Sequence, residues 1–213
     1  MSLADVRETM GRRFARLTTN AVVANPRLWR LFRALTRRQF NAIAPQWDAR
    51  RTKDAFAVLE AGLAALPEPP AQALDLGTGT GKAAFAIARR FPAAEVVGVD
   101  LADGMIAEAR RLTPPDLANR VRFELGDAAS LRFADDSFDL ASLANMIPFF
   151  DELGRIVRPT GHVLLSFSGG AATPIYVPFQ RLRTELARHG FVDFADFAVG
   201  VGTALLARKG ARS

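Results

Sequence analysis

Leu74-Asp75-Leu76-Gly77-Thr78-Gly79-Thr80-Gly81 decides how this chain folds. An apolar run, Ala71 to Leu76, leads into it and reads as a short buried strand. Three glycines alternate after the strand, and a helical pattern begins near Gly81. Strand, glycine loop and helix open a nucleotide-binding α/β unit. Glycine lets the backbone turn sharply and approach a ligand with no Cβ between. The helix N-terminus beyond favours a carboxylate or a phosphate.

Two phosphate-binding patterns can be tested on the loop. A P-loop requires Gly-x-x-x-x-Gly-Lys-Ser/Thr. Gly81-Lys82 supplies the Gly-Lys, but Leu76 stands in place of the first glycine and Ala83 in place of Ser/Thr. The dinucleotide pattern Gly-x-Gly-x-x-Gly/Ala is satisfied by Gly79, Gly81 and Ala84, so spacing leaves it open. Asp75 argues against it, because a carboxylate there repels a pyrophosphate and suits a cationic amine. S-adenosylmethionine has an ammonium, a carboxylate and a sulfonium, and no phosphate. Asp75-x-Gly77-x-Gly79-x-Gly81 resembles the first motif of class I S-adenosylmethionine-dependent methyltransferases. A tight strand-to-helix turn without a ligand is the bland alternative.

The chain has 213 residues, 49% of them hydrophobic, enough for one substantial core. It has no cysteine and two histidines, so thiolate zinc sites are excluded and no metal is expected. No apolar run approaches the roughly 20 residues of a membrane span, and the N-terminus lacks a secretory apolar core. A cytoplasmic location is the expectation. The net charge of +6 is uneven. Residues 1–53 hold twelve Arg/Lys against three Asp/Glu, a net of +9, and the remainder is mildly acidic.

Within the basic quarter, Leu28, Leu31, Phe32 and Leu35 fall on one helical face, with Arg30, Arg33, Arg37 and Arg38 off it. Asn25-Pro26 marks the start. Three readings stay open: a helix packed on the domain with a solvated basic face, a helix lying on an anionic membrane, and a contact for an acidic partner or nucleic acid. Helix continues from Phe40 to Leu66, broken at Ala44–Asp48, with Ala55, Val58, Leu59, Gly62, Leu63 and Leu66 as its apolar stripe. Pro67-Glu68-Pro69-Pro70 ends it.

From Ala71 strands and helices alternate, which argues for a mostly parallel sheet with helices on both faces. Strands are expected at Ala71–Leu76, Glu95–Val99, Val121–Leu125, Phe138–Leu143 and His162–Phe167. Helices are expected at Lys82–Phe91, Asp103–Arg111 with Asp103 as N-cap, Phe149–Val157 and Phe179–His189, the last closed by Gly190. Phe191–Val199 and Thr203–Ala207 read as an antiparallel hairpin around Gly200-Val201-Gly202. Seven strands ending in a hairpin form the Rossmann-like sheet of the family, and the resemblance spans roughly Phe40 to Arg208. Residues 1–66 are then an N-terminal helical extension or lid, and 67–213 the S-adenosylmethionine-binding domain.

Asp100 ends the second strand, 25 residues after Asp75, where it can accept both ribose hydroxyls or cap the next helix. The resemblance implies further roles. Gly77, Thr78, Gly79 and Gly81 form the cofactor loop. Asp127 accepts the adenine amino group, and the backbone of Ala128 reads a ring nitrogen. Leu101 and Met105 flank the adenine plane. Asn145 follows the fourth strand, where the transferred methyl sits. Asn145-Met146-Ile147-Pro148-Phe149 departs from the Asp/Asn-Pro-Pro-Tyr/Phe of nucleobase-amino methylating relatives. Trp47 matches an aromatic that covers the cofactor, and equally fits a core tryptophan. Met146, Phe149, Phe150 and Tyr176 would bound an apolar acceptor pocket. Arg155-Ile156-Val157-Arg158-Pro159-Thr160-Gly161 resembles a structural turn of the family. His162 and His189 read as structural, and no residue stands out as a general base.

The expected activity is methyl transfer from S-adenosylmethionine, giving S-adenosylhomocysteine, to a small apolar or aromatic acceptor, in the style of the quinone- and metabolite-methylating group. An RNA or protein methyltransferase using the basic helices is the alternative, and a non-catalytic or nicotinamide-binding protein a third. Oligomeric state is not readable from the sequence.

Overall fold

Alternating apolar strands and amphipathic helices leave one economical arrangement, a sheet covered on both faces. The computed structural model describes residues 3–50 and 56–211. Its elements are α1 (Leu3–Ala24), α2 (Trp29–Ile43), α3 (Ala57–Ala64), β1 (Gln72–Leu76), α4 (Lys82–Arg90), β2 (Glu95–Asp100), α5 (Asp103–Arg111), β3 (Val121–Leu125), β4 (Phe138–Ala144), α6 (Phe150–Ile156), β5 (Val157–Phe167), α7 (Phe179–Arg188), β6 (Phe191–Val199) and β7 (Gly202–Lys209). The strands form a seven-stranded sheet in the order β3-β2-β1-β4-β5-β7-β6. All pairings are parallel except those of β7, which runs antiparallel between β5 and β6. Strand order reverses between β1 and β4, so the ligand crevice of such a sheet opens at their carboxyl ends.

One core lies between the sheet and α6–α7, with Leu76, Leu143, Leu165, Leu182 and Leu186 at its centre. The other lies under α3, α4 and α5. Gly62 lets α3 sit hard against the sheet: a Cβ there would come within 2.5 Å of Leu164 Cδ1. Ala55, expected in the α3 stripe, lies outside the described residues.

Three features differ from the sequence reading. β5 begins at Val157, because Arg158–Gly161 continues the strand through a register irregularity opposite Phe138 and Leu140. Asp103 is the first residue of α5 and not its cap; Ala102 holds the cap position, with no side-chain bond. The third concerns α2. Of its expected apolar face, Leu31 and Leu35 point outward, 73% and 52% exposed, while Leu28 and Phe32 are half-buried. Trp29, buried, and the half-buried Phe40, neither of them on that face, join Phe32 in facing the protein. Leu28 to Leu35 alone could not set the rotation, because Trp29 and Phe40 outweigh the leucines in apolar area.

Candidate cofactor site

The glycine loop is held by its own backbone. Gly77, Gly79 and Gly81 have φ of +66°, +55° and +86°, the left-handed region that side chains disfavour. Thr78 N–H donates to Val99 O at 3.0 Å and Gly81 N–H to Thr78 O at 2.9 Å, which ties the loop to β2. The surface over the glycines is equally tight. A Cβ on Gly77 would meet Met146 Sδ at 2.7 Å, and one on Gly79 would meet Trp47 Nε1 at 3.3 Å. Trp47 and Met146, far apart in sequence, thus both lie on the loop.

Asp75 differs from expectation. It is 1% exposed, and Oδ2 accepts the Thr78 hydroxyl at 2.7 Å. Its carboxylate lies beneath the loop rather than open to a ligand, because β1 carries it into the packed interior. Asp48, beside Trp47, accepts the Thr80 hydroxyl at 2.7 Å and lies 3.5 Å from Lys82 Nζ. This second acid on the loop was not singled out from the sequence.

Asp100 sits where β2 ends. Oδ2 accepts Gly79 N–H and Oδ1 accepts Ala102 N–H, both at 2.9 Å. Burial pushes its carboxyl above the usual range, and the amides of Ala102, Gly79 and Leu101 pull it part of the way back. It therefore locks the glycine loop to the end of β2 with its own conformation fixed. Leu101 next to it is half-buried. Met105 is 1% exposed in a small core with Ala44 and Ala102, below Trp47, so it fills that core and forms no wall of the crevice.

Asp127 has partners the sequence did not reveal. Oδ1 accepts the Trp29 indole N–H at 2.8 Å and Ala129 N–H at 3.0 Å, while Arg33 lies 3.8 Å from Oδ2. Ala128 is buried beside it. α2 also grips the start of α5: Arg37 and Asn41 donate to Asp103 Oδ1, and Gly104 N–H donates to Asn41 Oδ1. One helix thus spans the loops after β2 and β3, the places assigned to ribose and adenine. The signal in the sequence was a lone tryptophan at a helix start, indistinguishable there from core filler.

At the end of β4, Asn145 adopts φ +54°, which asparagine tolerates better than most residues. Its carbonyl accepts Ser168 N–H at 2.9 Å and its amide donates to Ser168 Oγ at 3.0 Å. The side chain clamps the ends of β4 and β5 together.

The expected acceptor wall is only partly assembled. Tyr176 packs edge-on to Phe167, with centroids 5.1 Å apart. Phe149 is buried edge-on to Trp29 at 5.4 Å, and Phe150 stacks on His189 between α6 and α7. Phe149 and Phe150 instead border a cleft of about 330 Å³ with Trp29, Arg30, Arg33 and Asp127. Their rings follow the α6 packing, because Phe150 starts that helix and faces α7. His162 lies at the middle of β5, opposite Arg208, and His189 bridges Asp151 and the Glu185 carbonyl.

Fold and site define a doubly wound α/β protein with a glycine loop after β1 and carboxylates ending β1, β2 and β3. The family profile described as a methyltransferase domain matches residues 73–164. The chain is 37% identical over 160 residues to demethylmenaquinone methyltransferase of Thermus thermophilus, covering 67% of this chain and 72% of the relative. It is 34% identical over 142 residues to malonyl-[acyl-carrier protein] O-methyltransferase of Methylococcus capsulatus, covering 62% of this chain and 50% of the relative. It spans about half the length of several further curated relatives. Among solved structures, a putative methyltransferase of Haloferax volcanii in complex with the Trm112 activator superposes with a TM-score of 0.66 at 17% identity, covering 80% of this chain and 97% of that one. The chain belongs to the class I S-adenosylmethionine-dependent methyltransferases.

Proposed function

We propose that this methyltransferase acts on a small apolar or aromatic metabolite, with residues 1–66 as the extension that covers the cofactor and 67–213 as the domain that binds it. The observation that carries the reading is the roof of the glycine loop. Trp47 and Met146 close on Gly79 and Gly77, so what reaches the loop passes apolar surface. The names of the two relatives, one acting on demethylmenaquinone and one on malonyl-[acyl-carrier protein], support a metabolite-type acceptor.

The residues present fit S-adenosylmethionine. Gly77 and Gly79 bring the loop backbone directly beneath Met146 and Trp47, where a Cβ would collide, and Asp75 sets its carboxyl group under the loop. Asp100 would take the ribose hydroxyls, Asp127 the adenine amino group, with Leu101 and Ala128 beside the ring; Thr78 and Gly81 shape the loop. When bound, S-adenosylmethionine supplies an electrophilic methyl group on a sulfonium. The chain's own part is alignment and exclusion of water. Asn145 fixes the ends of β4 and β5, and Met146 with Trp47 keeps the loop dry. Alignment alone accounts for effective molarities of about 10⁵–10⁸ M. No side chain is assigned as a base.

Titration calorimetry tests the cofactor part: micromolar binding of S-adenosylmethionine and none of NADH is expected. Transfer of labelled methyl to a hydroquinone, compared with an acyl-carrier thioester and with RNA, tests the acceptor. Preference for RNA would replace this reading with the nucleic-acid one, which the arginine-rich helices alone favour.

A further inference from the structure

From Thr9 to Trp47 the chain has eight arginines and no carboxylate. α1 and α2 carry this stretch as an antiparallel hairpin: the rings of Phe14 and Phe32 meet edge-on at 6.1 Å, and Gly11 lies beside Gln39. Helical geometry fixes what flanks that seam. Met10 and Leu17 lie four before and three after Phe14, and Leu35 three after Phe32, so they share its outer side. All stand in solvent. Met10 is 65% exposed, Leu17 67%, and Leu31 and Leu35 are the exposed pair of α2.

The arginines divide by duty. Arg12 and Arg16 donate to the carbonyls of Ala171, Ala172 and Thr173, Arg33 faces Asp127, and Arg37 holds Asp103. Arg13, Arg27, Arg30 and Arg38 are exposed, and their side chains pair with no other described residue. The result is an outward apolar strip edged with unpaired cations.

We propose that the outer face of the α1–α2 hairpin docks on an anionic lipid surface, the leucines and Met10 entering the headgroup boundary and the free arginines meeting lipid phosphates. The charge pattern selects this occupant. A second copy docked through the same face would set arginine against arginine with no acid to pair them. A nucleic acid would satisfy the arginines and leave the leucines without a role. A basic helix with exposed leucines suits an interface that is both apolar and negative. No helix of the described residues is long and apolar enough to cross a membrane, so the contact is peripheral. The proposal does not depend on which acceptor is methylated.

Vesicle flotation of the full chain decides it. At low salt the protein should float with mixed phosphatidylglycerol–phosphatidylcholine vesicles and stay behind with phosphatidylcholine alone. Exchanging Arg13 and Arg38 together for Gln should lower binding by about 25-fold, near fivefold for each charge at such a surface. Leu31→Ser with Leu35→Ser should lower it at least as far. Neither pair touches the glycine loop or its acids, so thermal melting and S-adenosylmethionine affinity should be unchanged, which shows the variants folded. Absence of flotation at low salt would overturn the proposal. So would unchanged flotation of the leucine pair, which would leave charge as the whole effect. Loss of a dimer on exchanging the leucines, seen by sedimentation, would reassign the face to self-association. Binding of an RNA oligomer more tightly than the anionic vesicles, indifferent to the leucines, would reassign it to nucleic acid.

Discussion

Trp29 and Asp127 hold the least expected contact of the site. The indole N–H occupies Oδ1 of Asp127, the residue expected to receive the adenine amino group. Two donors cannot share that position at full strength alongside Ala129 N–H. Trp29→Phe keeps the packing on Phe149 and removes one competitor, so S-adenosylmethionine should bind several-fold tighter; a hydrogen bond to a charged group is worth about 1.5–3 kcal/mol at most. Calorimetry on the two proteins measures it, and weaker binding would show that the indole supports the adenine acid instead. Asp100 gives a second test. Its carboxyl is raised by burial, so it holds its proton longer in the folded than in the unfolded chain. Such a group contributes stability that is complete below the unfolded pKa and fades as pH rises through the folded one. Asp100→Asn removes that fading, so its stability relative to wild type should climb as pH rises above the ordinary carboxylate range in urea denaturation. Its cofactor affinity should fall by about 2 kcal/mol, because Gly79 and Ala102 lose an anionic acceptor. The positions of Asp75, Asp100 and Asp127 at strand ends were readable from spacing. The partners of Asp127 and the burial of Asp75 were not, because both depend on elements packed from elsewhere in the chain.

The elements themselves were readable where one constraint dominates. β1 and β2 are short, mostly apolar runs and β3 alternates apolar with charged residues; glycine or aspartate closes each, and their limits follow. The hairpin β6–β7 turns on Gly200 at φ +57°, as its glycines announced. β5 was cut short because Pro159 and Gly161 look like a turn; in fact the strand passes through them with Thr160 at φ +66°. α2 failed for a different reason. Its helical period is right, but a helix with apolar residues on two faces needs a partner to choose between them. α3 shows how narrowly such partners are fitted. Gly62→Ala would drive a methyl into Leu164, and overpacking of a tight core costs about 1–3 kcal/mol. Thermal or urea unfolding should register that loss even though alanine is the better helix former by about 1 kcal/mol. Arg155 pins the segment between β3 and β4: it donates to the carbonyls of Leu131 and Phe133 and pairs with Glu152 and Asp135. Arg155→Met should destabilise by about 2 kcal/mol or more, since Glu152 and the two carbonyls are left without their donor.

Across the whole molecule, the basic hairpin and the mildly acidic sheet domain meet at the cofactor site. α2 is tied to Asp127 through Trp29 and Arg33, and to Asp103 through Arg37 and Asn41. The first pair of ties involves the acid proposed for adenine; the second lies one turn past the acid proposed for ribose. Cofactor binding should therefore treat the two ends of α2 differently. If adenine takes Oδ1 of Asp127, the Trp29 indole loses its acceptor, and the amides near Trp29 lose an anchor and exchange faster with solvent. Those near Arg37 and Asn41 keep theirs, and the glycine loop, now covered on both sides, exchanges more slowly. Hydrogen exchange with saturating S-adenosylmethionine reads all three segments at once. Global stability should rise at the same time, by about 2.7 kcal/mol at a cofactor concentration 100 times Kd. Faster exchange at one end of α2 against that rising background has no explanation in global unfolding, and requires that the hairpin and the adenine compete for the same carboxylate. Uniform slowing along α2 would mean that Trp29 stays in place and the hairpin closes as one piece.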